Sequence, residues 1–465
     1  MSWRARVLVG VAGLAACVPA FGQIINPDAE TERGKIESQA RKDREAASDE
    51  AAKRRAVEGG GEVTFQAVLA DPDNVDLNFR YARAQVGRGN LKGAAATLER
   101  VLMVNPKLHQ VRLLYALVLF RLDNINDAER ELKALAELKL PDAVRAEVDD
   151  FLKKIAKKRR KTNVSGTLSL GFDWDTNRNS SPFSKQRLIG DRLVDLTGSN
   201  LKVQDTSIVT VANTRITHDP GSQAGHELFL SLTYFRAEQT VADNLDLVSY
   251  AGQTGLIYKG DWAEVTPAIA FDHVRLSEDT FLRQPTVSLR VERKVSGRFS
   301  VHWQGSAQYQ QYDRTRDIAV APERDGAQYE TGVGASYLLT PTQRVAGAYA
   351  YVDKDSARRY NSFERSSFHL SHSWFLGKGR FFTTSAQANI DHYYIADRAI
   401  SPRIRKDETF RVRLTYGHPL GLLHKSLKDF LWTGGFEYYA SISTLANYAY
   451  DNDKLTTMLT YRWEL

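Results

Sequence analysis

From Val164 onward, apolar side chains return at every second position. Val164, Gly166, Leu168, Leu170, Phe172 and Trp174 alternate with Ser165, Thr167, Ser169 and Asp173. Successive side chains of a strand point to opposite faces, so this alternation predicts a β-strand with one apolar and one polar face. The pattern recurs at 228–234, 287–291, 299–309, 329–339, 345–351, 368–374, 410–416 and 430–438, and more weakly at 206–217, 245–258, 262–274 and 381–393. It ends with Leu455, Thr457, Leu459, Tyr461, Trp463 and Leu465 set against Thr456, Met458, Thr460, Arg462 and Glu464. An apolar strand at the carboxylate is the usual finish of a transmembrane barrel. The total is about fourteen strands, an even number, and predicts an antiparallel outer-membrane β-barrel over 163–465.

The polar faces would then look into a watery lumen. Arg290, His302, Gln304, Arg411, Arg413 and Arg462 are expected to line it, since such groups are costly against lipid. The connections carry a parity that a soluble sandwich has no reason to keep. Long or medium stretches at 175–205, 237–243, 276–284, 313–326, 353–361 and 394–406 alternate with shorter ones at 218–225, 259–261, 296–297, 340–342 and 377–379. Only 418–429 is longer than a turn should be.

Before the barrel the periodicity changes to that of helices. Pro72 matches Pro106, Tyr81 matches Tyr115, Ala82 matches Ala116, Asn90 matches Asn124, Ala94 matches Ala128 and Leu98 matches Leu132, all at an offset of 34. That period and the placement of small residues resemble the tetratricopeptide repeat, although Asn78 stands where a large aromatic is usual. Two full repeats are expected, with a partial helix before them (64–70) and a capping helix after (141–155), in a domain over 62–162. Such arrays present the first helix of each pair on a concave docking face. Phe79, Arg83, Leu113 and Phe120 would lie there; a plain spacer is the alternative.

Two stretches have other roles. Residues 23–61 are charged and poor in large apolar groups, so they read as a solvated helix or disordered arm ending at Gly59-Gly60-Gly61. Lys157, Lys158, Arg159, Arg160 and Lys161 form a basic linker, which either meets anionic lipid headgroups or is a solvated helix end.

Composition limits the remaining choices. Arg4 and Arg6 precede an apolar run from Val7 to Val18, with Ala20-Phe21-Gly22 before Gln23, the form of a secretory signal peptide over 1–22. Leu14-Ala15-Ala16-Cys17 also resembles a lipobox, which would place cleavage and acylation at Cys17 instead. Cys17 is the only cysteine, so no intramolecular disulfide forms. A mean hydropathy of −0.40 suits a barrel that exposes every second residue to lipid. The net charge of +7 is scattered and does not point to nucleic acid. Ten histidines are dispersed, and no nucleophile elbow or metal-ligand cluster appears, so no catalysis, cofactor or metal is expected.

Several local segments carry a family resemblance. Gly171-Phe172-Asp173-Trp174-Asp175-Thr176-Asn177-Arg178-Asn179 is similar to the Asp-Ser/Thr-Asn-x-Asn segment that opens the barrel of the surface lipoprotein assembly modulators (Slam), the translocators of type XI secretion. Ser371-His372-Ser373-Trp374 before a glycine turn, Arg405-Lys406-Asp407 and Glu437-Tyr438-Tyr439-Ala440-Ser441 resemble that family in order and spacing. The chain departs from it in ending on Leu465 and in its short repeat domain. The resemblance implies an outer-membrane translocon with a periplasmic repeat domain. Its client would be a surface lipoprotein or a small secreted binding protein, and Asp175, Thr176, Asn177 and Asn179 would form a gate or cargo contact. On their own chemistry those residues are a structured strand exit. Outer-membrane lipid, the barrel-assembly machinery and periplasmic chaperones are the other expected partners. An exopolysaccharide-export porin and a diffusive porin with a docking domain are the alternative readings.

Overall fold

The computed structural model describes residues 64–138, 140–221 and 225–465, leaving aside the side chains of 143 and 157–159. The expected leader, with its lipobox alternative, and the charged arm lie outside them. Contacts divide the described chain into a helical unit up to Lys161 and a barrel unit from Thr162.

The helical unit contains α1 (Phe65–Ala70), α2 (Val75–Gly87), α3 (Leu91–Val104), α4 (His109–Arg121), α5 (Ile125–Ala136) and α6 (Asp142–Arg159). Thr64, Asn74, Asn90 and Asn124 cap four of these, each side chain accepting from the backbone N–H three positions on. The repeat is visible in the core: Ala82, Ala94, Ala116 and Ala128 are fully buried at the helix crossings, beside Leu98 and Leu132. Asn78 is buried where the aromatic is missing. Its amide donates to the carbonyls of Pro72 and Asn74 at 2.8 Å and its oxygen accepts from Arg100. One repeat later, Arg112 donates to the carbonyl of Pro106 at 2.8 Å and pairs with Glu131 at 3.0 Å. Both side chains therefore tie the start of their helix to the preceding proline turn. Among the described residues no helix is long and apolar enough to cross a membrane.

The barrel opens with β1 (Thr162–Asp175). A small hairpin, β2 (Gln186–Ile189) and β3 (Arg192–Asp195), follows in the first connection. Then come β4 (Asp205–His218), β5 (Glu227–Gln239), β6 (Leu247–Lys259), β7 (Glu264–Leu276), β8 (Asp279–Lys294) and β9 (Phe299–Tyr312). The circuit continues with β10 (Gly326–Thr340), β11 (Gln343–Lys354), β12 (Phe363–Gly377), β13 (Arg380–Tyr393), β14 (Lys406–Pro419), β15 (Phe430–Ser443) and β16 (Tyr450–Glu464). Fourteen of these pair antiparallel with both neighbours, and β16 pairs with β1 to close the barrel. Closure leaves no strand edge with unpaired backbone groups, which is what a sheet surrounded by lipid requires. At the β1–β16 junction Trp463 lies over its partner Gly166. A Cβ on Gly166 would sit 2.1 Å from the indole, so only glycine accommodates the ring.

The alternation sorts as expected. Leu168, Leu170, Phe172 and Trp174 are exposed on the outer face, while Ser169 is buried inside against Thr460 at 2.8 Å. Exposed aromatics form two belts. Tyr309, Tyr329 and Tyr351 belong to one, Trp262, Tyr337 and Trp374 to the other. On β10, Tyr329 and Tyr337 are separated by about 27 Å of strand, close to the height of an outer-membrane apolar band once tilt is included.

One strand differs from expectation. The stretch 276–284 is not a loop: β8 begins at Asp279, and Ser277 and Glu278 alone connect it to β7. Two features hide it in the sequence. Pro285 offers no N–H to its neighbour, and pairing with β9 lapses between Arg283 and Thr286. A register shift at Val274–Arg275 also lets adjacent Phe281 and Leu282 both be buried, which breaks the alternation. The connection at 420–429 remains long and contains two short 3₁₀ turns, Leu420–Leu422 and Lys425–Leu427.

Candidate functional site

The lumen has two unlike walls. On β12 to β16 and β1, inward side chains form a ladder of opposite charges. Arg365 grips Asp391 through two bonds of 2.6 Å. Arg405 meets Asp407 at 2.5 Å, and both Arg411 and Arg413 reach Glu437. Lys454 then joins Asp173 at 3.3 Å and Asp175 at 3.4 Å. A two-bond arginine–carboxylate pair is both strong and geometrically demanding. On β8 to β10 the inward groups are mainly amides and hydroxyls with a few charges among them: Arg290 donates to Gln304, which donates to Glu330, both at 3.2 Å. His302 also points inward, opposite Gly334 and Glu292. Arg462 faces in across from Thr167.

Toward the end that carries the longer connections, the β4–β9 wall turns apolar. Val209, Phe235, Leu247, Val274, Leu276, Leu282 and Tyr312 project inward from the strands. Leu245, Ile318 and Ala321, from the connections, and Phe281 complete this cluster; Phe281, Ile318 and Ala321 are fully buried. Burying this much apolar surface inside a lumen stabilises the loops that supply it.

Those loops are also bonded to one another. Gly190 and Asp191 of the β2–β3 hairpin donate to the carbonyls of Ala399 and Ile400 at 2.8 and 2.7 Å. Leu188 exchanges two bonds with the Asn447 side chain. Ala357 and Arg358 donate to the carbonyls of Asp325 and Glu323, and the Tyr360 hydroxyl donates to the Glu323 carboxylate. A second apolar knot, of Leu188, Ile400 and Leu445, packs three of these connections together. The connections at this end of the barrel thus form a cross-braced layer, a lid, rather than independent loops. Burial draws the guanidiniums of Arg187 and Arg324 in this layer below their ordinary value.

The Asp-Thr-Asn-x-Asn segment belongs to that layer, and its bonds span the barrel junction. Asn177 is buried, donates to the carbonyls of Ser181 and Asp451, and accepts from the N–H of Ser181. Its own N–H donates to Asn452, whose amide donates to Asp175 at 2.7 Å. The Thr176 hydroxyl accepts from the N–H of Asp453. Asn179 donates to the carbonyls of Ser199 and Leu201 and accepts from the N–H of Val203, folding the first connection back on itself. The segment holds the first loop to β16. No group of three or more His, Cys, Asp or Glu able to hold a metal is present among the described residues.

In the helical unit, Phe79 and Leu113 occupy equivalent places and are half-buried against successive core clusters. Arg83 is exposed. Phe120 packs edge-on against Phe151 of α6 with ring centres 5.8 Å apart, so the closing helix covers one of its sides. The basic linker spans the end of α6 and the turn after it; Arg160 and Lys161 are exposed, and the side chains of 157–159 lie outside the described residues. Sequence patterns missed Arg365, Asp391, Asp407, Glu437 and Lys454 as a connected ladder. Their inward parity was readable, but the register that pairs them was not.

Residues 64–110 match the sequence model of the tetratricopeptide repeat. No curated protein matches the chain in sequence. Solved structures similar to it include the anion-selective porin from Comamonas acidovorans, at 9% identity and TM-score 0.36, covering 65% of this chain and 99% of the porin. The outer membrane protein OprD from Pseudomonas aeruginosa aligns at 8% identity and TM-score 0.35, over 66% of this chain and 94% of its own. A loop-deleted OmpT of Vibrio cholerae aligns at 9% identity and TM-score 0.37, over 65% and 100%. At such scores these alignments have no bearing on function, and the barrel rests on its own strand pairing.

Proposed function

We propose that this chain is an outer-membrane translocon, of the surface lipoprotein assembly modulator type, that passes client proteins from the periplasm to the cell surface or medium. The observation that carries the reading is the union of a repeat domain with a barrel whose longer connections are bonded and packed to one another. Connections braced in this way suit a conduit that opens for a delivered client. The helical unit would stand in the periplasm and receive that client across the face bearing Arg83, Phe79 and Leu113. The family segment, Asp175 to Asn179, would act by releasing the first loop from β16.

The amide- and hydroxyl-lined stretch of lumen around Gln304 and Ser306 supports a second reading, a diffusive porin whose repeats tether a partner. Crosslinking separates the two. A photoreactive residue at position 83 or 113 is expected to capture an exported lipoprotein or a small secreted protein in living cells. Capture of resident periplasmic proteins alone would favour the tethered porin.

A further inference from the structure

On the lipid-facing side of β8 to β11 the barrel wall is indented. The lining of this groove, of about 850 Å³, includes Trp262, Arg293, Val301, Ala335, Gly347 and Tyr349. Its floor follows from the register: Val301, Ala335 and Gly347 lie side by side on β9, β10 and β11. A Cβ on Gly347 would meet nothing closer than 3.8 Å, so the chain leaves room for a side chain there and supplies none. Two residues further along each strand, Trp303, Val333 and Tyr349 stand taller and form a wall. Trp303 leans away from the floor, its indole lying over Gly305 and donating to Thr331 at 3.1 Å.

Cations edge this groove. Arg293 lines it, with its Cζ 5.0 Å from the centre of the Trp262 ring. Lys294 and Arg298, at the same β8–β9 turn, are exposed. Among the described residues no ion pair involves Arg293, Lys294 or Arg298. The groove begins at the short-connection belt, to which Trp262 belongs, and reaches Val333, halfway between Tyr329 and Tyr337. That is the depth of one leaflet. A cation is tolerated at the edge of the apolar band, and an anionic headgroup is the counter-charge found there.

We propose that this groove holds one anionic glycerophospholipid of the periplasmic leaflet, with an acyl chain on the floor of Ala335 and Gly347 and the phosphate at Arg293. The short turns of outer-membrane barrels face the periplasm, which sets the rim among that leaflet's headgroups. The apolar walls suit an acyl chain, and the planar fork of arginine matches a phosphate in two-bond geometry. The cation also selects the occupant. The acylated cysteine of a lipoprotein would fill the floor equally well, but it brings no phosphate to Arg293. Such a site would serve a translocon or a porin alike.

The test uses the full chain folded in detergent, with dioleoylphosphatidylglycerol and dioleoylphosphatidylcholine as probes and retained lipid counted by native mass spectrometry. The wild type should retain one phosphatidylglycerol about tenfold more tightly than phosphatidylcholine. Arg293→Gln should erase most of that preference. Lys378→Gln, at the β12–β13 turn, should leave it intact. Gly347→Leu should weaken both lipids alike, because the floor is then filled. Inorganic phosphate should not displace the phosphatidylglycerol, and a dipalmitoylated cysteine peptide should bind more weakly than it. The proposal is overturned by equal retention of the two lipids, by an Arg293→Gln variant that keeps the preference, or by a Gly347→Leu variant that binds as the wild type does. It is also overturned if Lys378→Gln loses the preference, the mark of diffuse surface charge. Displacement by phosphate, or tighter retention of the peptide, would overturn it as well.

Discussion

Asp391 shows how much of this lumen depends on single partners. Its side chain is almost wholly enclosed, and Arg365 supplies both of its ionic bonds. Replacing Arg365 with Gln leaves a buried carboxylate alone and should cost about 3 kcal/mol in urea unfolding of the refolded chain. Adding Asp391→Asn should recover part of that loss, which the double-mutant cycle measures. In the helical unit, Asn78→Ala removes the amide that donates to the carbonyl of Pro72, while that of Asn74 keeps the backbone N–H of residue 78, and should cost about 1–3 kcal/mol by thermal melting. Residue chemistry was partly readable beforehand. Asp175, Asn177 and Asn179 announce a strand exit, because such side chains bond to nearby backbone. That Asn177 also clasps Asp451 could not be read, since the partner lies at the far end of the barrel sequence and only the β1–β16 register brings it near.

At the scale of elements, the connection between β9 and β10 is the lid's apolar anchor. Ile318 and Ala321 are fully buried in the lumen cluster, and Asp325 accepts from the N–H of Tyr312 at 2.6 Å. Ile318→Asp would place a charge there without a partner and release the connection. In planar bilayers the wild-type chain should be mostly quiet, and the variant should show frequent openings of larger conductance. Equal, steadily open currents from both would contradict a lid held by this contact. Strands were legible wherever one face meets lipid and the other water, since alternation is then enforced. Legibility failed at β8, where Pro285 and the paired burial of Phe281 and Leu282 suspend the two-residue period. It failed again for the β2–β3 hairpin, whose four-residue strands are held by loop contacts rather than by patterning.

For the whole molecule, helical repeats followed by a closed barrel are written in two periodicities, 34 and 2, and both survive in the structure. The belts predict where the membrane lies. Val333 is exposed midway between Tyr329 and Tyr337, so Val333→Arg should cost about 2–4 kcal/mol in folding into lipid vesicles. The lid was not legible, because its apolar residues lie in connections whose only visible property was length. Client delivery is read from the join of the two units, and one measurement bears on it most directly: protease shaving of intact cells with and without this chain, scored for every exported lipoprotein and small secreted protein. At least one such protein should lose surface exposure or release when the chain is absent, and regain it when the full chain is restored. Unchanged exposure and release of every one of them would contradict the account.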